Sequence, residues 1–233
     1  MVDPELLAVW NWTFYGYGSW SAPYWFIGLE EGGVDSAEDF EKRVNAWDEM
    51  GQPDLLDLRE FHLRIGHAEY CQPDAKLQST WRRLMRSLFV AKGNAPTDES
   101  LRRYQAFELG RHGSEILLLE LSPLPARGVN DRWYLRDDSS SLDFIDVEEL
   151  REARRDHIAE AIIQHKPRAV ICYGEPRKWA AYLSLHVERD KIWTGRRGAT
   201  LIVASPQVRT VQANDHWDEI GRIIASKASS TDA

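Results

Sequence analysis

Two adjacent carboxylate residues, Glu30 and Glu31, follow a short apolar run and lie within the segment Gly28-Leu29-Glu30-Glu31-Gly32-Gly33. Carboxylates at a strand end can activate a water molecule or stabilise a developing positive charge. The segment matches neither of the common glycine-rich phosphate-binding motifs, and paired acids would repel a phosphate. The residues therefore predict hydrolytic chemistry. The alternative is that the two acids only complement the dipole of the helix that follows.

Four apolar runs predict the strands that position these acids: residues 24–28, 115–121, 168–174 and 199–204. Continuous apolar runs are typical of strands covered on both faces. Helical patterns lie between and after them, at residues 37–50, 77–91, 98–110, 146–165, 176–185 and 214–224. The alternation predicts an α/β protein with three layers, α/β/α, around a central, mainly parallel four-stranded sheet. Ligands of such sheets bind at the carboxyl ends of the strands.

Local signals add detail to this prediction. Ser36 is expected to cap the first predicted helix. The stretch from Trp10 to Trp20 is too rich in glycine and asparagine for an ordinary core helix. We expect a single domain over residues 1–227, an aromatic N-terminal arm at 1–22 and a disordered tail at 228–233. Residues 146–165 carry an apolar stripe made of Leu150, Ala153, His157, Ile158, Ala161 and Ile162.

The strand ends resemble motifs of the uracil-DNA glycosylase superfamily. Gly28-Leu29-Glu30-Glu31-Gly32 is similar to its first motif, and Ile116-Leu117-Leu118-Leu119-Glu120 is similar to the strand that ends in a base-reading Asn. Val203-Ala204-Ser205-Pro206 resembles the end of its H-P-S-P motif, and residues 167–174 resemble the strand before it. Order and spacing agree over residues 25–224. The resemblance implies a uracil-DNA-glycosylase-like fold and hydrolysis of the N-glycosidic bond of a flipped base.

The resemblance implies individual roles for the acids. Glu30 falls on the family position that places the attacking water, so it is the first choice as the catalytic residue and Glu31 is the second. Leu29, in the same turn, is expected to contact the base.

Glu120 stands where the uracil enzymes have Asn. An ionised Glu only accepts hydrogen bonds, so it would pair with the amino group of cytosine or adenine and not with uracil. A Glu120 whose pKa is raised by burial would instead be protonated and donate to the base. The alternative is a strand-end Glu that pairs with a neighbouring arginine such as Arg127.

The histidine of the family's last motif is missing from this chain. Val203 or Ala204 occupies its place, and Gln207 and Arg209 are the nearest polar substitutes. Its absence implies slower chemistry or a leaving group activated in another way. We expect His216, at the start of the last helix, to be a cap or surface residue.

Aromatic and basic residues complete the expected site. Tyr17 and Trp20 are expected to stack on a flipped base, or alternatively to pack the N-terminal arm onto the sheet. A polar and basic set is expected to contact DNA phosphates, the alternative being a solvated basic face: Arg127, Ser205, Gln207, Arg209, Arg196 and Arg197.

Composition sets limits on these functions. The 233-residue chain has two cysteines and a net charge of -8, and residues 30–60 hold eleven acids against three bases. Two cysteines cannot form a disulfide framework, a cysteine zinc cluster or a four-cysteine iron–sulfur cluster, so we expect no metal and no cofactor. No apolar run approaches the roughly 20 residues that span a bilayer. Without a basic signal-peptide start, we expect a cytoplasmic monomer with DNA as its partner and a small phosphate footprint.

The hypothesis from sequence is a monofunctional DNA glycosylase that removes a modified base, with modified cytosine favoured over uracil. Gly32-Gly33, where many members have Pro, would suit a bulky base. The superfamily includes bacterial antiviral members that remove hypermodified cytosines from phage DNA, so defence against phage is one expected role. The alternatives are an inactive modified-base reader and a hydrolase of free nucleosides or nucleotides.

Overall fold

The structure, a computed structural model, describes residues 2–34, 36–125 and 147–228. These residues form one mixed sheet with helices around it, which confirms the α/β class. Across the sheet the order is β3-β1-β4-β2-β5-β8-β7-β6. The strands are β1 (Gly16–Tyr17), β2 (Tyr24–Glu30), β3 (Leu55–Leu56), β4 (Ile116–Ser122), β5 (Ala169–Tyr173), β6 (His186–Arg189), β7 (Ile192–Arg197) and β8 (Thr200–Ser205).

The four strands expected from apolar runs form the centre of this sheet. β2 pairs in parallel with both β4 and β5, and β5 pairs in parallel with β8. The sheet nevertheless has eight strands where four were expected. Two of the others contribute only two residues each, and β6 and β7 carry polar and charged residues in place of an apolar run. The carboxyl ends of the four central strands therefore lie along one edge.

The helices of the described residues overlap all six predicted ones and include two that were not predicted, α1 and α3. Ser36 caps α2 as expected, accepting a hydrogen bond from the Asp39 N–H at 3.2 Å. None of these helices combines the length and the apolar character needed to cross a membrane. They are α1 (Pro4–Thr13), α2 (Ala37–Glu49), α3 (Leu58–Arg64), α4 (Ser79–Ala91), α5 (Asp98–Phe107), α6 (Val147–His165), α7 (Pro176–Leu183) and α8 (Asn214–Ala228), with a 3-10 turn at Ala68–Tyr70.

The expectation that the aromatic stretch forms no ordinary core helix is wrong for residues 10–13, which belong to α1, and is confirmed for residues 14–20, which include Gly16 and Gly18 and are not helical. Pro4 begins the helix, and the Asp3 side chain accepts a hydrogen bond from the Glu5 N–H. Trp10 is 1% exposed, and its Nε1 donates to the Pro123 carbonyl at 2.9 Å. Burial of this indole outweighs the weak helix propensity around it. Of the expected tail, Ala228 is the last residue of α8, and 229–233 lie outside the described residues.

The core lies on both faces of the sheet. Phe26 and Leu118 belong to a cluster packed by α1 to α5 and α8, whereas Trp25 and Leu117 belong to a cluster packed by α6 and α7. Successive residues of β2 and β4 thus point to opposite faces, and both faces are covered. This double coverage is why the strands appear in the sequence as continuous apolar runs.

The α6 helix buries three arginines in addition to most of the expected apolar stripe, of which Leu150, Ile158, Ala161 and Ile162 are buried. Arg151, Arg154 and Arg155 are at most 7% exposed, whereas His157 is exposed and Ala153 is only half-buried. The predicted stripe contained no arginine, because periodicity alone does not show that a carboxylate or carbonyl lies opposite a guanidinium group. The buried face of α6 therefore contains charged guanidinium groups as well as apolar side chains.

Candidate active site

A cavity of about 240 Å³ opens at the carboxyl ends of β2 and β4. Seven residues expected from sequence line it together: Tyr17, Leu29, Glu30, Glu31, Glu120, Gln207 and Arg209. The parallel register explains part of this, since Gly28 is paired with Glu120 and Glu30 with Ser122. The two expected carboxylate sites, about ninety residues apart in sequence, thus face one space. No group of three or more His, Cys, Asp or Glu in the described part of the chain is arranged to hold a metal ion.

Glu31 is held on both oxygens by protein donors. The Tyr17 hydroxyl donates to Oε1 and Oε2 at 3.0 Å each, and Arg43 Nη1 donates to Oε1 at 2.8 Å. Burial raises the pKa of Tyr17 well above its ordinary value, so the phenol keeps its proton and remains a donor. Arg43 comes from α2 and is 4% exposed, so this ion pair is largely shielded from water. Glu31 is therefore fixed in one orientation.

Glu30 forms a separate ion pair with α6. Arg151 Nη2 donates to Glu30 Oε2 at 2.7 Å, and the two side chains are 8% and 9% exposed. A charge-assisted hydrogen bond of this length holds the carboxylate at the carboxyl end of β2. The two adjacent acids are thus each paired with a different arginine from a different helix.

Glu120 has no arginine on its carboxyl group within the described residues. The Tyr173 hydroxyl donates to Oε1 at 3.4 Å, and Oε2 has no hydrogen-bond partner there. Burial raises the pKa of Glu120 well above its usual value, and the charges of Glu31 and Glu30 raise it further. Of the two states considered from sequence, this environment favours the protonated carboxylic acid at neutral pH.

Gly28 makes room for this carboxyl group. A Cβ atom added at residue 28 would lie 2.2 Å from Glu120 Oε2 and 2.6 Å from Tyr173 Oη. Both distances are far below van der Waals contact, so any side chain at this position would displace both groups. The absence of a side chain at residue 28 sets the position of the acid.

Replacing Glu120 by glutamine is expected to remove a pH-dependent penalty on folding. In the wild type the folded state keeps a proton that the unfolded chain releases above about pH 4.5. The free energy of unfolding therefore falls with rising pH, by up to about 1.4 kcal/mol per pH unit, until the folded pKa is passed. The amide of the variant does not titrate. In urea unfolding, the free energy of unfolding of Glu120→Gln minus that of the wild type should therefore increase by about 1 kcal/mol or more as the pH rises from 5 to 8. Glu49→Gln, at an exposed site, is the control; equal pH slopes for Glu120→Gln and wild type would contradict the expectation.

Several cavity residues were not found from sequence. They lie on α3, at the 3-10 turn and the residue before it, at the start of α4 and at the end of β5: His62, Tyr70, His67, Trp81 and Tyr173. The signal for Tyr173 was present, because it lies in a predicted strand directly before the glycine that ends it. The others lie in segments that carried no recognisable motif.

Four of the expected site residues lie elsewhere. Trp20 donates from Nε1 to Asp54 Oδ2 at 2.6 Å and stacks on His165 instead of facing the cavity. Arg196 and Arg197 lie at the end of β7, and because β7 runs antiparallel to β8 they are at the opposite edge of the sheet. Ser205 is fully buried and does not line the cavity.

Two further predictions concern His216 and Arg127. His216 is half-buried: its Nε2 lies 2.8 Å from the Ser205 hydroxyl at the end of β8, and burial lowers the pKa of its ring, so it is not a fully exposed surface residue. Arg127 lies outside the described residues.

Comparison with known proteins adds no assignment to this geometry. No family model matches the chain. No curated protein and no solved structure matches it either.

Proposed function

We propose that this protein is a monofunctional DNA glycosylase that hydrolyses the N-glycosidic bond of a flipped, modified base, with modified cytosine favoured. The observation that carries the proposal is that three carboxyl groups in one cavity have different environments. Glu30 and Glu31 are paired with arginines, whereas Glu120 is held neutral by burial. Carboxyl groups whose environments differ in this way supply the two partners of a glycoside cleavage. Parallel pairing of β4, β2, β5 and β8 agrees with the proposed uracil-DNA-glycosylase-like fold.

In the proposed reaction the C1′–N bond breaks and the bonding electron pair leaves with the base. Glu30 stabilises the positive charge on the sugar and orients a water molecule, whose oxygen bonds to C1′ while its proton passes to the carboxylate. Neutral Glu120 donates a hydrogen bond to the departing base, which takes the place of the missing motif histidine. The base leaves as an anion that takes up a proton from solvent, and Glu30 returns its proton to solvent, so the products are an abasic site and the free base.

A neutral Glu120 does not by itself distinguish cytosine from uracil. A carboxylic acid offers one donor and one acceptor, which suits the N3 and N4 edge of cytosine but also the edge of uracil. Selection against uracil must therefore come from the rest of the cavity. Its volume of about 240 Å³ and the open backbone at Gly32 favour a base with a substituent.

The direct test is to incubate the protein with duplex DNA that is unmodified, contains uracil, or carries 5-hydroxymethylcytosine or its glucosylated form, and to assay abasic sites. We expect product from a modified cytosine. Cleavage of uracil alone would overturn the modified-base assignment. Binding without product on every substrate would favour a reader, and inhibition by free nucleosides but not by duplex DNA would favour a nucleoside hydrolase. A modified-cytosine activity would suit defence against phage.

Gly32→Phe is expected to exclude bulky bases. Gly32 lines the cavity, and a Cβ atom added there meets no atom within 4 Å, so a phenyl ring can enter the open space without strain. We expect the rate on the largest base that the wild type accepts to fall about 100-fold, with a much smaller change on the smallest one. Gly113→Phe, at a position equally free of neighbours but outside the cavity, is the control. Equal losses on large and small bases would contradict a size filter.

A further inference from the structure

One wall of the cavity comes from elements that carry none of the three carboxyl groups. His62 lies on α3, Tyr70 ends the 3-10 turn, and Thr80 and Trp81 lie in the first turn of α4. The ring centroid of Trp81 is 5.5 Å from that of His62 and 5.6 Å from that of Tyr70, with the rings nearly perpendicular. This edge-to-face cluster is a rigid aromatic surface of the kind that packs against ligands.

His62 presents a hydrogen-bond acceptor on this wall. Its Nδ1 lies 2.8 Å from the Leu58 carbonyl oxygen, which can only accept, so Nδ1 carries the proton. The side chain belongs to a residue that is 4% exposed, and burial lowers the pKa of the ring, so it is neutral. In the neutral ring Nε2 is then the acceptor, and it makes no hydrogen bond with the described part of the chain.

The first turn of α4 offers donors beside this acceptor. The Gln78 side chain caps the Trp81 N–H at 2.7 Å. The N–H groups of Ser79 and Thr80 precede the first intrahelical bond and have no acceptor among the described residues. Both residues line the cavity and also carry hydroxyl groups. An acceptor, several donors and an aromatic surface together match a neutral, hydroxyl-bearing group.

We propose that His62 Nε2 accepts a hydrogen bond from a hydroxyl group on the substituent of the bound base, and that Trp81 and the first turn of α4 complete this compartment. The inference rests on the proposed function, because it names the part of the substrate that this wall recognises. A phosphate is the less favoured occupant, since the unprotonated Nε2 of His62 offers no donor and would direct a lone pair at the anion.

The test uses duplexes that carry 5-methylcytosine, 5-hydroxymethylcytosine or glucosylated 5-hydroxymethylcytosine, of which the first lacks a substituent hydroxyl. Binding and base release are measured separately for the wild type and two variants. His62→Phe keeps an aromatic ring without the acceptor, and His62→Gln brings an amide oxygen to the place of Nε2. His157→Phe, at an exposed histidine outside the cavity, is the control, and urea unfolding of each variant reports its fold.

We expect His62→Phe to lose about tenfold in affinity for whichever hydroxyl-bearing duplex the wild type prefers, and little for the methyl duplex. His62→Gln should recover most of this preference. Equal losses on all duplexes, no recovery in His62→Gln, or competition by inorganic phosphate would overturn the inference. A His62-dependent preference in binding without base release would support the inference and overturn the proposed glycosylase, so the two failures are distinguishable.

Discussion

Glu30→Gln is expected to lower the rate of base release by about 10²- to 10⁴-fold while DNA affinity changes little. Glutamine keeps the shape of the side chain and an oxygen for Arg151, but it cannot take a proton from water or stabilise a cationic sugar. Single-turnover release of the base, with excess enzyme over duplex, measures the chemical step directly. Binding of the same duplex by the variant shows whether the site remains intact.

Glu31→Gln provides the matched comparison. Both oxygens of Glu31 already accept hydrogen bonds from Tyr17 and Arg43, so its main task is to hold the strand end. An amide there would direct N–H groups at a guanidinium or a phenol, so we expect lower stability and a smaller loss in rate than for Glu30→Gln. A larger loss of rate in Glu31→Gln would exchange the roles of the two acids, and full activity in both variants would remove them from the mechanism.

Arg154→Met should produce the largest loss of stability among single substitutions near the site, about 3 kcal/mol or more. Arg154 Nη1 donates to the Asn11 carbonyl at 3.1 Å, and Nη2 donates to the Glu120 carbonyl at 2.9 Å. Its guanidinium lies 4.2 Å from the centre of the Tyr15 ring. Methionine fills similar space but leaves two buried carbonyl groups without donors and removes the cation–π contact. Burial lowers the pKa of Arg154 only to about 10, so the side chain is charged at neutral pH.

Urea unfolding measures this loss as a shift of the midpoint at constant slope. Arg222→Met is the control, because that arginine is 60% exposed and its ion pair with Glu219 spans one helical turn. A shift of less than about 1 kcal/mol for Arg154→Met would show that the three contacts contribute little. Since Arg154 binds the backbone at residue 120, we also expect the variant to lose base release beyond its loss of folded protein.

The centre of the fold was predictable because its signals are local. Buried strands with both faces covered give apolar runs. Ser36 predicts the start of α2 because its hydroxyl group can cap the helix. Placement of Glu30 and Glu120 in one cavity also followed, since the ends of parallel strands share an edge. What sequence reasoning missed depends on contacts between distant segments. Arg151 is 121 residues from Glu30, so nothing beside it in the chain indicates that it is buried.

Functional residues on helices were harder to predict than those on strands. Trp81 and His62 both line the cavity and their rings contact one another, although they are 19 residues apart and no local pattern encodes this contact. Trp20 shows the opposite error: an aromatic residue close in sequence to the first strand packs on the other side, where it contacts Asp54 and His165. Position in the sequence relative to the strands predicted which residues at the strand ends line the cavity, but it did not predict most of the aromatic residues that line it.

The close approach of residue 28 to the Glu120 carboxyl group has a consequence for evolution. Related chains that retain a carboxyl group at position 120 beside a tyrosine at 173 should retain glycine at 28, since a methyl group there would occupy the same volume. Where shorter residues replace both Glu120 and Tyr173, the constraint is relaxed and alanine or serine becomes acceptable. Positions 28, 120 and 173 should therefore change together as lineages diverge, and that coupling would mark which descendants kept the buried acid.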